Sequence, residues 1–569
     1  MANKPLLENQ RREFLRLGIG VVSGIILPAG FSACSKEDGR QTFVQPTMLA
    51  SENGVLDVTL TVSYWNTQLS GADPANRYPV SLRAYGYNTN KPSYAGPTLV
   101  VKGGDKLRIR LINQLPLNPP AAPNDPLLYM KPNTTNLHTH GLHVFPGMYQ
   151  NSRTQEYGDY VVDSNTGGVV PQGDSRQYVY DIPKNHPAGP FYYHPQFHGS
   201  SAMQVASLMQ GAIIVRGPVD ELPEMAQATE LIFLFQAPYF SNGKDNKSDG
   251  VKEGSLEKFA QVANYPTGHG INHSNNEYLD AQPVLINGVR QPTIVMESGE
   301  VQRWRFINTQ IFNSLNLNLD GHVLHQYTVD GWGSADYQDY PDARENSGKG
   351  IELAAGNRSS VIMKAGAPGT YLLRSLPIKI AQGKQEAVLP GDVLAKIIVL
   401  EKQSRKSIAE KMPATPLPVS DFLEPIGDDE FARCGGKKRS IIFNMVGGEG
   451  LTQSLGSKNT GPQLQRSNSI MQNVILGAVE EWTIYNCNSI AQSFHIHVNP
   501  MYLTKVNGAS IKPYWCDTVA LPAGGTPENP TSVTFRMRFK DFVGPYILHS
   551  QMLQYSDLGM VQRVTVVPV

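Results

Sequence analysis

The segment Gly104–Asn113, reading GDKLRIRLIN, sets Leu107, Ile109 and Leu111 in alternation with charged neighbours, between a glycine and an asparagine. A period of two puts those three side chains on one face of a strand, and the flanking residues are turn formers. The same phrase returns as GEVQRWRFIN from Gly299 to Asn308, enclosing Val301, Trp304 and Phe306. It returns again as GAVEEWTIYN from Gly477 to Asn486, enclosing Val479, Trp482 and Ile484. Copies so far apart cannot be solenoid repeats and suit whole sandwich domains. Three domains are therefore expected over roughly 45–220, 225–402 and 435–569. The Lys/Glu/Pro-rich stretch from Lys402 to Pro425 is the last linker.

Outward from these phrases the chain reads as strands. Val55–Trp65, Thr98–Asn113, Gln177–Ile182, Gly211–Arg216, Glu230–Phe235, Lys396–Leu400, Ser440–Met445, Ser532–Phe539 and Val561–Val567 alternate or run apolar over short lengths. Most end at Gly, Pro, Asn or Asp, and no long amphipathic helix competes with them. The fold class is all-β, built of sandwiches. Glycine (52) and proline (41) are abundant and only 17% of residues are charged, which suits many tight turns. Lysine plus arginine equals aspartate plus glutamate at 49 each, and no basic stripe carries interleaved aromatics, so nucleic acid is not an expected partner.

The first 34 residues read as an address. Arg11-Arg12-Glu13-Phe14-Leu15 is a twin-arginine signature, followed by the apolar run Leu17–Leu27, which is too short for a comfortable membrane span. Phe31-Ser32-Ala33-Cys34 resembles a lipobox, so Cys34 is the expected lipid anchor. An ordinary cleaved signal is the other reading. Export to a periplasmic or membrane-anchored lipoprotein location follows. The remaining cysteines, Cys434, Cys487 and Cys516, are too few and too scattered for a disulfide framework, although one pair is open outside the cytoplasm.

The 13 histidines cluster. Asn136-Leu137-His138-Thr139-His140-Gly141-Leu142-His143 and Tyr192-Tyr193-His194-Pro195-Gln196-Phe197-His198 lie in the first domain. Phe494-His495-Ile496-His497 and Leu548-His549-Ser550-Gln551 lie in the third. His-x-His on a strand turns both imidazoles to one face. Two such pairs with His194 and His549 make a nitrogen-rich cage suited to copper or zinc, provided the first and third domains pack together. His186, His269, His273, His322 and His325 lack such a pattern, and lone histidines are more often core or surface residues.

Those clusters resemble the four copper motifs of the multicopper oxidases, the laccase-like family. The phrases NLHTHGLHV, FYYHPQFHGSSAMQVASLMQGAIIV, FHIHVNPMYLTKVNG, YWCDTVALP and GMVQRVTVV carry the likeness in order across nearly the whole mature chain. The resemblance implies three cupredoxin-like Greek-key sandwiches and a copper cofactor of one to three ions. It assigns His138 and His495 to a type 2 copper. His140, His194 and Gln551 fall to one type 3 copper, and His497, His549 and Gln196 to the other. Each type 3 position thus exchanges one histidine for glutamine, a harder and weaker donor for Cu(I). His143 and His198 fall just beyond ligand positions and are expected to support ligands. Met203, Met209 and Met552 are expected to fill core or pocket space.

The resemblance fails at the type 1 copper. Where the family has a thiolate and two histidines, this chain has Ser550, Gln492 and Tyr555, leaving only the axial Met560. A blue copper centre depends on its copper–thiolate bond, and a hydroxyl, an amide and a phenol do not replace it near neutral pH. The expected function is an atypical copper-binding oxidoreductase of the cell envelope. It would oxidise a small molecule directly at the histidine-bound site, with dioxygen as a candidate reactant. A non-catalytic cupredoxin scaffold or interaction protein is the alternative. The substrate, the oligomeric state and the catalytic residues are not legible.

Overall fold

The computed structural model describes residues 41–70, 77–88, 91–118, 131–149, 155–162, 169–238, 284–346, 349–381, 387–389, 391–403, 408–448, 450–456, 471–557 and 559–569. The expected export signal, Cys34, His269 and His273 lie outside them. The described strands form three pairs of sheets, as expected of three cupredoxin-like sandwiches, and a separate two-stranded ribbon of Ile378–Ala381 with Ala387–Leu389. The described helices are six residues or shorter, and none is long and apolar enough to cross a membrane.

The repeated phrase is one structural unit built three times. Each glycine, at φ +92° for Gly104, +81° for Gly299 and +88° for Gly477, takes the left-handed conformation that a side chain disfavours. Each following strand pairs parallel with one neighbour and antiparallel with another: Lys106–Asn113, Val301–Asn308 and Val479–Asn486. Each closing asparagine is fully buried and donates from Nδ2 to two backbone carbonyls. Asn113 reaches Asn133 O (2.7 Å) and Val170 O (2.9 Å). Asn308 reaches Asn313 O and Leu353 O, and Asn486 reaches Ile490 O and Pro522 O, all at 2.9 Å. An apolar residue there would remove two hydrogen bonds to backbone carbonyls, which accounts for asparagine at the end of all three phrases.

One expected strand is two. Thr98–Asn113 breaks at Gly103-Gly104 into Thr98–Lys102 and Lys106–Asn113, which enter different sheets of the first domain. The turn carries the chain from one layer of the sandwich to the other, and the apolar residues on both sides masked it in the sequence.

The sheets that hold the histidines face the junction of the first and third domains. In the first domain, His138–His140 is an edge strand antiparallel to Gly189–His194, with His138 opposite His194. In the third, Gln492–Ile496 is antiparallel to Gly544–Ser550, with His495 opposite His549. His497 lies one residue past its strand, just before Val498 at φ +66°, where the backbone turns away. The linker lies across all three domains. Leu417 donates to Ala335 O, Ser420 to Asn185 O, and Leu423 O accepts from Trp515 Nε1. The middle domain fills a separate core around Trp304, Phe306 and Phe233.

Candidate metal centre

His138, His140, His194, His495, His497 and His549 meet at one place, and none is more than 1% exposed. Two stacked pairs hold the domains face to face. His138 lies on His497 with ring centroids 3.6 Å apart and planes 16° off parallel, and His140 lies on His495 at 3.6 Å and 12°. His138, His140 and His194 offer three nitrogens within 4.8 Å of one another, and so do His138, His495 and His497. His497 Nε2 is 3.1 Å from His549 Nε2, and His194 Nε2 is 3.5 Å from His140 Nδ1.

The outer nitrogens are already committed. His194 Nδ1 donates to Pro195 O (2.9 Å), His549 Nδ1 to Ser550 O (2.8 Å) and His495 Nδ1 to Asp517 O (2.8 Å). His138 Nδ1 donates to Asp159 (3.0 and 2.9 Å). A ring that donates from Nδ1 keeps its lone pair on Nε2. His138 Nε2 and His495 Nε2 are buried with no hydrogen-bond partner. Burial holds five of the rings neutral. It lowers His138 to about 4 against the counter-pull of Asp159, lowers His194 to about 3, and puts His140, His497 and His549 well below the ordinary value. Neutral imidazoles with inward lone pairs are metal ligands in waiting.

Gln551 lies beside His140 at the Gly356 turn, and Gln196 follows His194 by two residues. Gln196 Nε2 donates to Ser556 Oγ (3.2 Å) and Gln551 Nε2 to Tyr192 OH (2.9 Å). Each Oε1 is buried without a partner. Orphaned buried acceptors beside orphaned ring nitrogens fit a bound cation. These six histidines and two glutamine oxygens would hold copper.

Sequence reading missed the carboxylates behind the rings. Asp159 accepts from His138 and from Thr139 N (2.9 Å), and its Oδ2 is 3.2 Å from His497 Nδ1. Burial opposes its ionisation, but the two histidines outweigh that and keep it ionised. Asp517 stands 3.4 Å from His140 Nε2 and 3.5 Å from His495 Nδ1. Burial opposes its charge too, and Arg358 outweighs it. Asp517 lies within the quoted phrase YWCDTVALP, a weak signal at best. Asp159, 21 residues from His138, gave none.

The other expected residues sit nearby with different partners. His143 holds the turn after His497, through Nδ1 to Val498 O (2.8 Å) and Nε2 to Asp541 (2.9 Å). Neither buried ring nitrogen of His198 has a hydrogen-bond partner. His186 is buried and accepts from His143 N. Met203, Met209 and Met552 are packed in apolar cores. No disulfide joins Cys434, Cys487 and Cys516, so the pair left open by the sequence does not form among the described residues. Ser550 Oγ donates to Gln492 Oε1 (3.2 Å), and Ser550 N to Met560 O (3.0 Å). Tyr555 and Met560 are buried in the same core.

The architecture defines a class: three cupredoxin-like sandwiches with a histidine cage between the first and the third. Sequence profiles described as multicopper oxidase match residues 239–395 and 437–569, together more than half of the chain. The chain belongs to the multicopper oxidase family. It is similar to "Multicopper oxidase mco" of Staphylococcus aureus, 21% identical over 546 residues and 94% of each chain. Among solved structures it resembles "Multicopper oxidase from Campylobacter jejuni: a metallo-oxidase", with TM-score 0.61, 18% identity and coverage of 93% of this chain and 96% of that one. It also resembles a laccase from Pediococcus acidilactici, with TM-score 0.64, 17% identity and coverage of 93% and 94%.

Proposed function

We propose that this chain is a copper-dependent oxidoreductase of the cell envelope that works without a type 1 electron-entry site. The observation that carries the reading is the pairing of two features. Six buried imidazoles converge with free inward nitrogens, while the position of the family's thiolate is taken by Ser550, hydrogen-bonded to Gln492. Copper bound in the cage supplies one-electron redox chemistry. Asp159 and the backbone carbonyls orient the rings and keep their protons on the outer nitrogens. With no thiolate-bound copper to pass electrons inward, the reactant meets the cage itself. The rings are no more than 1% exposed, so the small-molecule electron donor and dioxygen, the electron acceptor, must both reach a buried site. The twin-arginine signal supports the envelope location, with Cys34 as the anchor.

The enclosure and the two glutamines also suit a second reading, a cupredoxin scaffold that performs no turnover. Elemental analysis with electron paramagnetic resonance on protein loaded with copper separates the two. Bound copper with no intense blue absorption, lost in His138→Ala or His495→Ala together with oxidase activity, is the expected result. Protein that folds and binds no copper removes the enzyme reading, and an intense blue band removes the claim that type 1 copper is absent.

A further inference from the structure

The middle domain supplies none of the eight candidate ligands, yet one of its turns lies against the cage. Along Ala354–Arg358, Ala355 O accepts from Ser493 Oγ (2.7 Å) and Asn357 Nδ2 donates to Thr518 O (2.8 Å). Gly356 approaches so closely that a Cβ there would lie 2.6 Å from Gln551 Cγ and 3.0 Å from His140 Cε1. Arg358, fully buried, makes two parallel bonds to Asp517, from Nη1 to Oδ1 and from Nη2 to Oδ2, both 2.6 Å. It also donates to Pro190 O of the first domain (3.2 Å), so all three domains meet at this guanidinium. Trp332 Nε1 adds a third bond to Asp517 at 2.8 Å.

What Asp517 does next is decided by proton counting. Thr518 Oγ1 donates its single proton to Asp517 Oδ1 (2.9 Å). It can then only accept, from His140 Nε2 at 2.8 Å and from His495 Nδ1 at 3.1 Å. His140 must therefore carry its proton on Nε2 and present Nδ1 to the cage, 3.5 Å from His194 Nε2. His138, His194, His495 and His549 do the reverse, each donating from Nδ1. His140 thus differs from these four, and a different device sets it.

We propose that Arg358 is a positioning residue for the metal centre: through Asp517 and Thr518 it fixes His140 as the ring that ligates by Nδ1. The inference rests on the reading that the six histidines hold copper. Without the guanidinium, Asp517 loses its two-pronged anchor and can swing away from Thr518, which frees the hydroxyl proton. Thr518 can then donate to His140 Nε2, which moves the imidazole proton onto the ligating nitrogen. Arg358 and Asp517 also account for the glycine after His140, since a Cβ on Gly141 (φ +87°) would collide with both.

The test is a chelator-competition titration of copper affinity, with electron paramagnetic resonance spectra, on full-length protein. Arg358→Gln and Thr518→Val should each bind copper about 10- to 100-fold more weakly, with altered spectra, as loss of an orienting partner does elsewhere. Thr518→Ser keeps the hydroxyl and should stay near wild type. A purely packing role predicts the opposite order, because valine keeps the shape of threonine and serine does not. Arg305→Lys, in the buried Asp220/Glu230 ion cluster away from the site, controls for general destabilisation and should keep wild-type affinity. If Arg358→Gln does not fold, the threonine pair decides. Thr518→Val equal to wild type, or Thr518→Ser weaker than Thr518→Val, overturns the inference while leaving the copper reading intact. Wild-type protein that binds no copper overturns both.

Discussion

Replacing Asp159 by asparagine changes one atom in size but reverses its hydrogen-bonding role. Asp159 is 1% exposed and accepts from His138 Nδ1, Thr139 N and, at 3.3 Å, Thr139 Oγ1. In Asp159→Asn one oxygen becomes an NH2 group. Whichever way the amide lies, one former donor faces another. Thr139 N cannot give up its proton, so it keeps the oxygen and His138 faces the NH2 group. His138 keeps that oxygen at 3.0 Å but meets the NH2 group at 2.9 Å, and the repulsion favours moving its proton from Nδ1 to Nε2, the nitrogen aimed into the cage. Losing a charge-assisted bond to a buried group costs about 1.5–3 kcal/mol. Copper affinity should fall about 10- to 100-fold. The pKa of Asp159 lies below its unfolded value, so its contribution is present above about pH 4 and is lost as pH falls through the folded value. The gap between wild type and variant should therefore hold steady from pH 5 to pH 8, roughly the span over which unfolded aspartate stays ionised. Chelator competition measures the affinity, and thermal unfolding of metal-free protein measures the stability. Equal affinity in the two proteins, or a more stable variant, would refute the account of Asp159 as the acceptor that sets His138.

The metal-free protein should lose stability on acidification. His138 and His194 are held at about 4 and about 3, so the unfolded chain takes up protons first as pH falls below about 6.5. Each such ring costs about 1.4 kcal/mol per pH unit down to its folded pKa. Asp557, raised by burial to about 7, works the other way over pH 7 to 4, but it is one group against several rings. A thermal midpoint lower at pH 5.5 than at pH 7.5 is expected. Gly141→Ala, strained at φ +87° and colliding with the Arg358–Asp517 pair, should cost about 1–3 kcal/mol, read by the same melts. Introducing Ser550→Cys, Gln492→His and Tyr555→His together should create a blue copper band beside Met560. A colourless triple variant that loads copper at the cage would show that these positions do not form a type 1 site. Gln196→His and Gln551→His should strengthen Cu(I) retention in a dialysis assay, since imidazole is a softer donor than an amide oxygen.

Local sequence determined what local physics controls. The Gly104, Gly299 and Gly477 turns and their closing asparagines repeat because a positive φ and a doubly bonded buried amide each admit few residue types. That repetition is visible as letters. The His-x-His spacing likewise fixes a shared face within a strand, so the candidate ligands could be named from the sequence. Gly104 was legible as a turn former, but that the chain there leaves one sheet for the other was not, because Leu99 and Val101 continue the apolar pattern up to it and Leu107 resumes it beyond.

Tertiary structure alone decided which nitrogen each ring turns inward. Asp159 is 21 residues from His138, Asp517 is 159 residues from Arg358, and His140 meets Thr518 across 378 residues. A proton's place on an imidazole depends on which acceptor lies behind it. Strand spacing fixes a side chain's direction but says nothing of acceptors brought from other domains. The sequence by itself therefore determined that this chain folds as three related sandwiches and carries histidines suited to a metal. The packing of those sandwiches determined that the rings stack in pairs, that their outer nitrogens are occupied, and that a middle domain without ligands holds an arginine behind them.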